Sequence, residues 1–320
     1  EDLAHASPAT VSRVGMIFCE MRNLGWRPLR TVWLENLREP FDGIEDHISG
    51  LFEWLFPPAL YFIQKHCTIP TPVTALECMT SLLRLLDCFM VDARAAAADA
   101  KEENPKAVES FSEAIFIQAL VWSVGACVDF SGRRAFDEYF RLVLGGGANL
   151  ESSTAHADFL AKTLNYGREN AARSACNAPP ASGAVYDSQF DARAARWRPW
   201  VDESFKFEIP AGARFNAIVV PTMDTVRHEC LIEQLLLNGC HVMCTGETGT
   251  GKSVSVKKLV HRLVSTSASG QSFQAIELNC AAQTSANMTQ DIIDSKLEKR
   301  RKGVLGPPLG TTGLIFVDDL

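Results

Sequence analysis

Apolar residues follow two different periods along this chain, and the change of period divides it into two regions. From about residue 29 to residue 150, apolar residues recur every three or four positions, as in the run Leu76, Met79, Leu83, Leu86 and Met90. That spacing predicts an all-helical region in which each helix buries one face. From residue 205 onward, short apolar and β-branched runs alternate with helical patterns. This second pattern predicts a parallel sheet covered by helices.

The pattern also predicts individual elements. A short helix at 8–13 and a strand at 14–20 open the chain, and the first region has helices at 111–127 and 134–144 after a loop or solvated helical extension at 91–106. In the second region we expect an extended segment at 218–220, helices at 224–238, 253–265 and 285–299, and strands at 241–244, 273–279 and 314–317. Between 170 and 188 the residues are mostly Ala, Ser, Asn, Pro and Gly. Such a stretch buries too little apolar area to fold alone and predicts a linker.

Composition narrows the class of protein. Apolar residues make up 47% of the 320 residues and charged residues 22%, which indicates two or three folded domains. The net charge of −7 argues against a general nucleic-acid or membrane-surface binder, because both targets are anionic. The ten cysteines form no CxxC pair and have no His partners at zinc spacing, so they predict buried reduced thiols in a reducing compartment.

The sequence predicts neither a signal peptide nor a membrane span. The N-terminal residues lack the basic and apolar regions of a signal peptide. The most apolar stretch, 114–128, is shorter than a membrane span and predicts a buried helix. Because the chain has no initiator Met and stops inside an apolar run at Leu320, we expect it to be a fragment.

The strongest motif is GETGTGKS at residues 246–253, which fits the phosphate-binding pattern GxxxxGK[ST] between a predicted strand and a predicted helix. Glycine at Gly246, Gly249 and Gly251 lets successive backbone N–H groups converge on phosphates at the positive end of the helix dipole. Lys252 is expected to reach the β and γ phosphates, and the Ser253 hydroxyl to ligate Mg²⁺. The motif therefore predicts binding of ATP or ADP with Mg²⁺, with the following nucleotide contacts: Gly246, Glu247, Thr248, Gly249, Thr250, Gly251, Lys252, Ser253 and Val254.

An apolar strand that ends in two carboxylates follows later in the chain, at residues 314–319. By itself this is often only a strand end, but after a phosphate-binding loop it predicts a metal and water site. Asp318 is expected to hold Mg²⁺ and Asp319 to polarise the attacking water. Two polar clusters have simpler interpretations. Asn279, Gln283, Thr284 and Ser285 predict a helix cap and polar loop, and residues 299–302 predict a solvated basic turn, with contact to a neighbouring module as the alternative.

Several longer strings now become identifiable. EDLAHASPATVSRVGMIF, LVWSVGACVDFSGRRAFDEYF, CTGETGTGKS, NCAAQTSANMTQDIIDSKLEKRRKGVLGPPLG and LIFVDDL together resemble the motor ring of dynein heavy chains, the axonemal type more than the cytoplasmic. The resemblance covers nearly the whole chain. It implies an α/β P-loop NTPase fold of the AAA+ type, with a partial parallel sheet in the C-terminal half preceded by an all-α small subdomain.

The resemblance also implies a division into modules. Residues 1–27 would end the large subdomain of the second AAA+ module, and 28–167 would form its helical small subdomain. A linker at 168–188 would lead to the first part of the third module's large subdomain at 189–320, truncated after its phosphate-binding loop and acidic strand.

Further site residues follow from the resemblance alone. Arg13 matches an arginine finger that reaches the ATP of the first module, although a cation at a helix end also has a simpler dipole explanation. Val220, Pro221 and Thr222 would lie near the adenine. Asp319 stands where AAA+ ATPases usually have Glu, one methylene longer, so we expect slow hydrolysis. Because the sensor strands, the rest of the large subdomain and the next module's arginine finger would lie beyond Leu320, we also expect the isolated chain to bind ATP weakly.

The resemblance implies a part of an ATP-driven, minus-end-directed microtubule motor in the cytoplasm and cytoskeleton, with the axoneme of a cilium or flagellum as its location. Its partners would be the adjacent AAA+ modules and, outside this segment, intermediate chains, light chains and microtubules, with no nucleic acid and no membrane. Two alternatives stay open at this point. One is an unrelated P-loop ATPase or kinase, and the other is a scaffold whose nucleotide site has degenerated.

Overall fold

The computed structural model describes residues 7, 21–104, 106–145, 176–201, 220–265, 272–281 and 283–318. The helix predicted at 8–13 and the strand predicted at 14–20 lie outside these residues. The chain divides into two compact units, Glu1–Pro199 and Trp200–Leu320. We call them the helical unit and the α/β unit, and each is described by itself. The module boundaries given above stay a prediction.

The described part of the helical unit contains six α-helices, a 3₁₀ turn and a β-hairpin. The helices are α1 (Met21–Leu24), α2 (Arg27–Glu35), α3 (Glu45–His66), α4 (Ala75–Glu103), α5 (Ala107–Ser123) and α6 (Phe130–Leu144). The 3₁₀ turn is Gly125–Cys127, and strands β1 (Ser188–Asp191) and β2 (Arg196–Pro199) pair antiparallel. The predicted helices at 111–127 and 134–144 are confirmed, with α6 beginning four residues earlier than expected.

Aromatic side chains from α3, α5 and α6 form the centre of the helical unit. Phe52 meets Phe116 edge to face at 4.8 Å between ring centroids, and Phe62 stacks on Tyr139 at 4.0 Å. All four rings are buried. Burial of such large apolar groups is the dominant stabilising term in a helical domain of this kind.

Local sequence sets where the long helices begin and end. Thr74 accepts a hydrogen bond from the Glu77 N–H, and the Glu77 side chain accepts one from the Thr74 N–H, which is a complete capping box for α4. The segment predicted as a loop or a solvated helical extension at 91–106 is helical as far as Glu103. Its alanines favour helix, and the helix ends before Pro105, which restricts the residue in front of it.

Among the described residues one segment, Ala107–Cys127, has the length and apolarity of a membrane span, and 78% of it is buried inside the protein. It is α5 with the 3₁₀ turn. The buried helix predicted over 114–128 is therefore confirmed.

The described part of the predicted linker, from residue 176, packs on the helical unit. Val185 and Tyr186 are buried, and the Tyr186 hydroxyl donates to the Gly125 carbonyl at 2.7 Å. Arg141 donates to the carbonyl oxygens of Pro180 and Gly183. The segment has no regular secondary structure of its own before β1, and its contacts with α5 and α6 hold it in place.

The described part of the α/β unit contains three helices and four strands. They are α7 (Met223–Leu237), α8 (Lys252–Ser265), β3 (Ser272–Asn279), α9 (Ala286–Lys296), β4 (Glu298–Arg301), β5 (Val304–Gly306) and β6 (Thr311–Asp318). Strands β3 and β6 pair in parallel from Ser272↔Thr311 to Asn279↔Asp318. The predicted helices at 224–238, 253–265 and 285–299 and the predicted strands at 273–279 and 314–317 are confirmed within a few residues.

A small apolar cluster joins α8 to the two parallel strands. Leu259, Leu263, Phe273 and Leu314 are buried in it, and Ile232, Leu236 and Leu237 of α7 pack against it. Because both strands and the two helices contribute, this cluster fixes α8 against the β3–β6 pair.

Candidate functional site

The phosphate-binding motif forms an exposed loop that leads directly into α8. Gly246, Gly249 and Gly251 have φ angles of 154°, 85° and 80°, values that L-residues with a Cβ rarely adopt. Helix α8 begins at Lys252, so the loop lies at the helix N-terminus, where unpaired N–H groups and the helix dipole favour an anion. The glycines are thus needed for the backbone path and not only for a turn.

The Lys252 ammonium is held by the loop itself. It donates to the Gly246 carbonyl at 2.8 Å, to the Glu247 carbonyl and to the Thr250 hydroxyl at 3.3 Å. The Thr250 hydroxyl in turn donates to the Glu247 carbonyl at 3.0 Å. Lys252 is thereby placed over the loop, with its charge satisfied by neutral oxygens that an anion can replace.

The contact across the site joins the loop helix to the acidic strand. Ser253 Oγ donates to Asp318 Oδ1 at 2.6 Å. Ser253 lies in the first turn of α8 and Asp318 is the last residue of β6, positions 65 residues apart in the sequence. The structure therefore brings together the two oxygen ligands that the sequence assigned to Mg²⁺, and the role of each in binding metal stays a prediction.

A further lysine, which the sequence analysis missed, also contacts this carboxylate. Lys257 Nζ lies 3.0 Å from Asp318 Oδ2 and donates to Asn279 Oδ1 at 3.4 Å. The sequence spacing could have indicated this position, because residues four apart on a helix lie on one face. Lys257 therefore lies on the same face of α8 as Ser253. Asn279, which was interpreted as part of a helix cap and polar loop, instead ends β3 opposite Asp318.

The other members of that polar cluster behave as interpreted. Ser285 caps α9 by accepting a hydrogen bond from the Met288 N–H, and the Thr284 hydroxyl accepts one from the Ala281 N–H at 2.8 Å. The basic residues 299–302 are exposed, as expected for a solvated cluster, but they belong to the β4–β5 hairpin and not to a simple turn.

The residues assigned to the adenine stand at the start of α7. Thr222 is the helix N-cap and accepts a hydrogen bond from the Thr225 N–H, which gives it a structural role whatever it binds. Val220 is 58% exposed, so it offers apolar surface of the kind that covers a purine ring. The contact of Val220, Pro221 and Thr222 with a nucleotide stays a prediction.

One predicted element is wrong. Residues 241–244, expected to be the strand before the loop, are not in a strand, and Met243 is 82% exposed. A strand exists only when a neighbour supplies hydrogen bonds, and within the described residues β3 and β6 pair with each other and not with 241–244.

The thiol of Cys244, just before the loop, is exposed, but its charged form is disfavoured. Desolvation raises the pKa of Cys244 above its ordinary value, and the opposing charge of Lys252 offsets only part of this effect. A thiol with a raised pKa keeps its proton at neutral pH and is a poor nucleophile. Among the described cysteines only Cys78 and Cys88 are buried and Cys244 is exposed, so the prediction of buried thiols is wrong for most of them, and their reduced state stays a prediction.

Two assigned residues lie outside the described part of the chain. Arg13 and Asp319 both fall there, and their roles as finger and base stay predictions. Glu247, Thr248, Thr250 and Val254 lie on the exposed loop and first helical turn, where the motif placed them.

Comparison with known families gives matches in both halves of the chain. Residues 48–202 match the dynein heavy chain AAA lid domain. Residues 207–320 match the P-loop containing dynein motor region. The first match falls on the helical unit and the second on the α/β unit.

Individual relatives match the whole chain. Human dynein axonemal heavy chain 1 is 36% identical over 326 residues, and human dynein axonemal heavy chain 3 is 32% identical over 329 residues. Mouse dynein axonemal heavy chain 12 is 35% identical over 324 residues. Each alignment covers 100% of this chain but only 7%, 8% and 10% of the respective relative.

Proposed function

Because this chain belongs to the dynein heavy chain family and carries AAA+ P-loop and lid regions, we propose that residues 246–253 and Asp318 bind ATP with Mg²⁺. The observation that carries the proposal is the 2.6 Å contact between Ser253 Oγ and Asp318 Oδ1 at the helix N-terminus. It joins a phosphate-binding loop to a carboxylate, which is the arrangement that nucleotide binding with a divalent cation requires. Nucleotide binding is itself general to the family.

The residues present fit Mg²⁺. A hydroxyl and a carboxylate oxygen are ligands that this hard cation prefers, and it is commonly held by one or two protein groups with phosphates and waters completing its shell. Ser253 and Asp318 would be the protein groups. Once bound with ATP, Mg²⁺ neutralises charge on the phosphate oxygens.

The chain's own residues have clear tasks in this proposal. The N–H groups of the glycine loop bind phosphate oxygens at the positive end of α8. Lys252 exchanges the carbonyl oxygens of Gly246 and Glu247 for phosphate oxygens, a gain because a charge-assisted hydrogen bond is stronger than one to a neutral acceptor. Val220, Pro221 and Thr222 contact the adenine.

In the intact motor, we assign this segment to the end of the second AAA+ module and the first part of the third. Arg13 acts as an arginine finger for the first module, where it stabilises charge on the phosphoryl group in transfer. Asp319 orients the attacking water, and its short side chain makes hydrolysis slow. The isolated chain therefore turns ATP over poorly, and it binds ATP weakly because neighbouring modules of this family share nucleotide sites.

The whole protein is an ATP-driven, minus-end-directed microtubule motor of the axoneme in this proposal. Adjacent AAA+ modules of the same heavy chain are its immediate partners, and intermediate chains, light chains and microtubules bind elsewhere. Family membership across the full length of the chain leaves no support for an unrelated P-loop kinase. The alternative that remains to be tested is a scaffold whose nucleotide site has degenerated.

A binding experiment separates the proposal from the scaffold. The affinity for a fluorescent ATP analogue is measured in Mg²⁺ for the purified chain and for Lys252→Ala. Loss of hydrogen bonds to a charged group costs about 1.5–3 kcal/mol, so we expect the variant to bind about 10- to 100-fold more weakly. Lys258→Ala is the matched control, because Lys258 pairs with Glu229 of α7 at 3.9 Å and not with the loop. Equal affinity of the chain and Lys252→Ala would favour the scaffold.

A further inference from the structure

Lys257 touches the carboxyl ends of both parallel strands at once. Its ammonium is 3.0 Å from Asp318 Oδ2 of β6 and 3.4 Å from Asn279 Oδ1 of β3. The same ammonium lies 5.6 Å from the centroid of the Phe316 ring, within the range of a cation–π contact. One side chain of α8 is thereby tied to three groups of the sheet.

The two strand ends are themselves fixed relative to each other. Asn279 and Asp318 are direct partners in the β3–β6 register, and the Cys280 N–H donates to the Asp318 carbonyl at 3.0 Å. The backbone of Asp318 is therefore held by the sheet. What remains to be set is the rotation of its carboxylate.

Helix α8 supplies a separate donor to each oxygen of that carboxylate. Ser253 Oγ donates to Oδ1 at 2.6 Å, and Lys257 Nζ contacts Oδ2 at 3.0 Å. Because the two donors stand four residues apart on one face of a helix that is packed on the strands, rotation of the carboxylate breaks at least one contact. Lys257 therefore fixes the plane of the carboxylate, so that one oxygen faces Ser253 while the ammonium holds the other.

We propose that Lys257 is a positioning residue of the proposed nucleotide site, which holds Asp318 with Oδ1 toward Ser253 and so increases the affinity that Mg²⁺ adds to nucleotide binding. The proposal rests on the proposed function. Partners that orient a metal ligand without touching the metal commonly change metal affinity by about 10- to 100-fold.

The charge of Lys257 also has an opposite effect, since it repels Mg²⁺, and we expect this repulsion to be the weaker of the two effects. An ammonium near a metal site repels a divalent cation, but Lys257 stands on Oδ2, the oxygen away from Ser253. Its side chain is 33% exposed while that of Asp318 is 18% exposed, so solvent screens the ammonium more than it screens the carboxylate. We therefore expect orientation of the ligand to have the larger effect on Mg²⁺ binding.

The experiment compares nucleotide affinity with and without the metal. ATP binding to the purified 320-residue chain is measured in Mg²⁺ and in EDTA, and the ratio of the two affinities gives the gain due to Mg²⁺. We expect Lys257→Met, which keeps an apolar stem beside Phe316, to lower this gain about tenfold while the affinity in EDTA stays unchanged. Lys257→Arg is expected to restore part of the gain, since a guanidinium can still donate to the carboxylate.

Two control variants show whether a change in affinity comes from Lys257 itself. Lys258→Met removes the neighbouring charge from the same helix and is expected to change neither affinity, and Asp318→Asn is expected to remove most of the Mg²⁺ gain. If Lys257→Met does not fold, as judged by circular dichroism, Lys257→Gln is measured in its place with the same expectation.

Two kinds of failure are distinguishable. If the unmodified chain shows no ATP binding, or no gain from Mg²⁺, the proposed function and this inference both fall. If the gain is present but Lys257→Met leaves it equal or larger, or lowers both affinities by one factor, only the inference is overturned. An arginine variant no better than methionine also contradicts it.

Discussion

The two units of this chain bury their apolar side chains to very different extents. The helical unit has a continuous core in which phenylalanine rings of α3, α5 and α6 are fully buried. The described residues of the α/β unit form a small cluster around Leu259, Leu263, Phe273 and Leu314. Outside that cluster, large apolar residues such as Met243 and Ile315 are 82% and 53% exposed.

This difference separates the residues that stabilise the fold from the residues that are assigned to nucleotide binding. The residues assigned to nucleotide are held by polar contacts, such as those of Lys252 with loop carbonyls and of Asp318 with Ser253 and Lys257. The core residues of the helical unit carry no assigned chemistry. Mutations should therefore divide into those that change unfolding and those that change binding.

The largest expected effect is removal of an aromatic ring from the helical core. Phe52→Ala leaves a cavity beside Phe116, and we expect it to lower the free energy of unfolding by about 4 kcal/mol. Urea unfolding followed by tryptophan emission measures this well, because five of the six tryptophans lie in the helical unit.

The matched variant in the other unit is Leu263→Ala. Leu263 is also buried, but it belongs to the small cluster, so we expect a cost of about 3 kcal/mol that changes the tryptophan-detected midpoint less than Phe52→Ala does. If Leu263→Ala lowered that midpoint as much as Phe52→Ala, the distinction between the two units would be wrong.

A smaller effect is expected from removing a helix N-cap, and it should differ between the two units. Thr74 caps α4, which is buried along one face, whereas Ser285 caps α9, in which no residue is buried. We expect Thr74→Ala to cost about 1 kcal/mol in the tryptophan-detected unfolding of the helical unit. For Ser285→Ala the same loss should appear as local fraying, with amide hydrogen exchange in α9 about fivefold faster.

Hydrogen exchange by mass spectrometry and urea unfolding of both variants test this contrast. Exchange in α9 that is unchanged by Ser285→Ala would show that other contacts hold the start of this helix. A midpoint unaffected by Thr74→Ala would show that the capping box adds nothing to the packing of α4.

Sequence predicted the elements whose signals are local. The start of α8, predicted at Ser253 and found at Lys252, the strands β3 and β6 and the helices α5 to α9 follow from periodicity, glycine placement and caps. For the extension of α4 to Glu103 the sequence allows both loop and helix, since alanine-rich polar stretches become helical only when a partner covers residues such as Ala93 and Ala97.

What sequence could not predict depends on partners distant in the chain. Residues 241–244 have the composition of a strand, but a strand requires a neighbour that this pattern does not specify. Lys257 looks like an ordinary solvated lysine of α8, and its importance appears only when β3 and β6 place Asn279 and Asp318 beside it.

The smallest expected effect concerns an ion pair that joins α2 to α3. Glu53 accepts hydrogen bonds from Arg27 at 2.9 Å and from Arg30 at 2.6 Å. Burial by itself raises the pKa of Glu53, but the hydrogen bonds and charges of the two arginines outweigh it and hold the pKa below the ordinary 4.5. A carboxylate with a lowered folded-state pKa stabilises the fold above its unfolded pKa, and this contribution is lost as the pH falls through the lowered value.

Glu53→Gln should therefore lower the free energy of unfolding by about 0.5–1 kcal/mol at neutral pH, the size expected of a largely solvent-screened pair. The difference from the unmodified chain should shrink below pH 4.5, the ordinary glutamate value, because the unfolded chain takes up a proton there while the folded glutamate becomes neutral only at its lower pKa. Tryptophan-detected urea unfolding over a series of pH values measures it. Glu233→Gln is the control, because it removes the 2.8 Å pair with Arg262 in the α/β unit. If the effect of Glu53→Gln did not depend on pH, the packing of the side chain and not its charge would join the two helices.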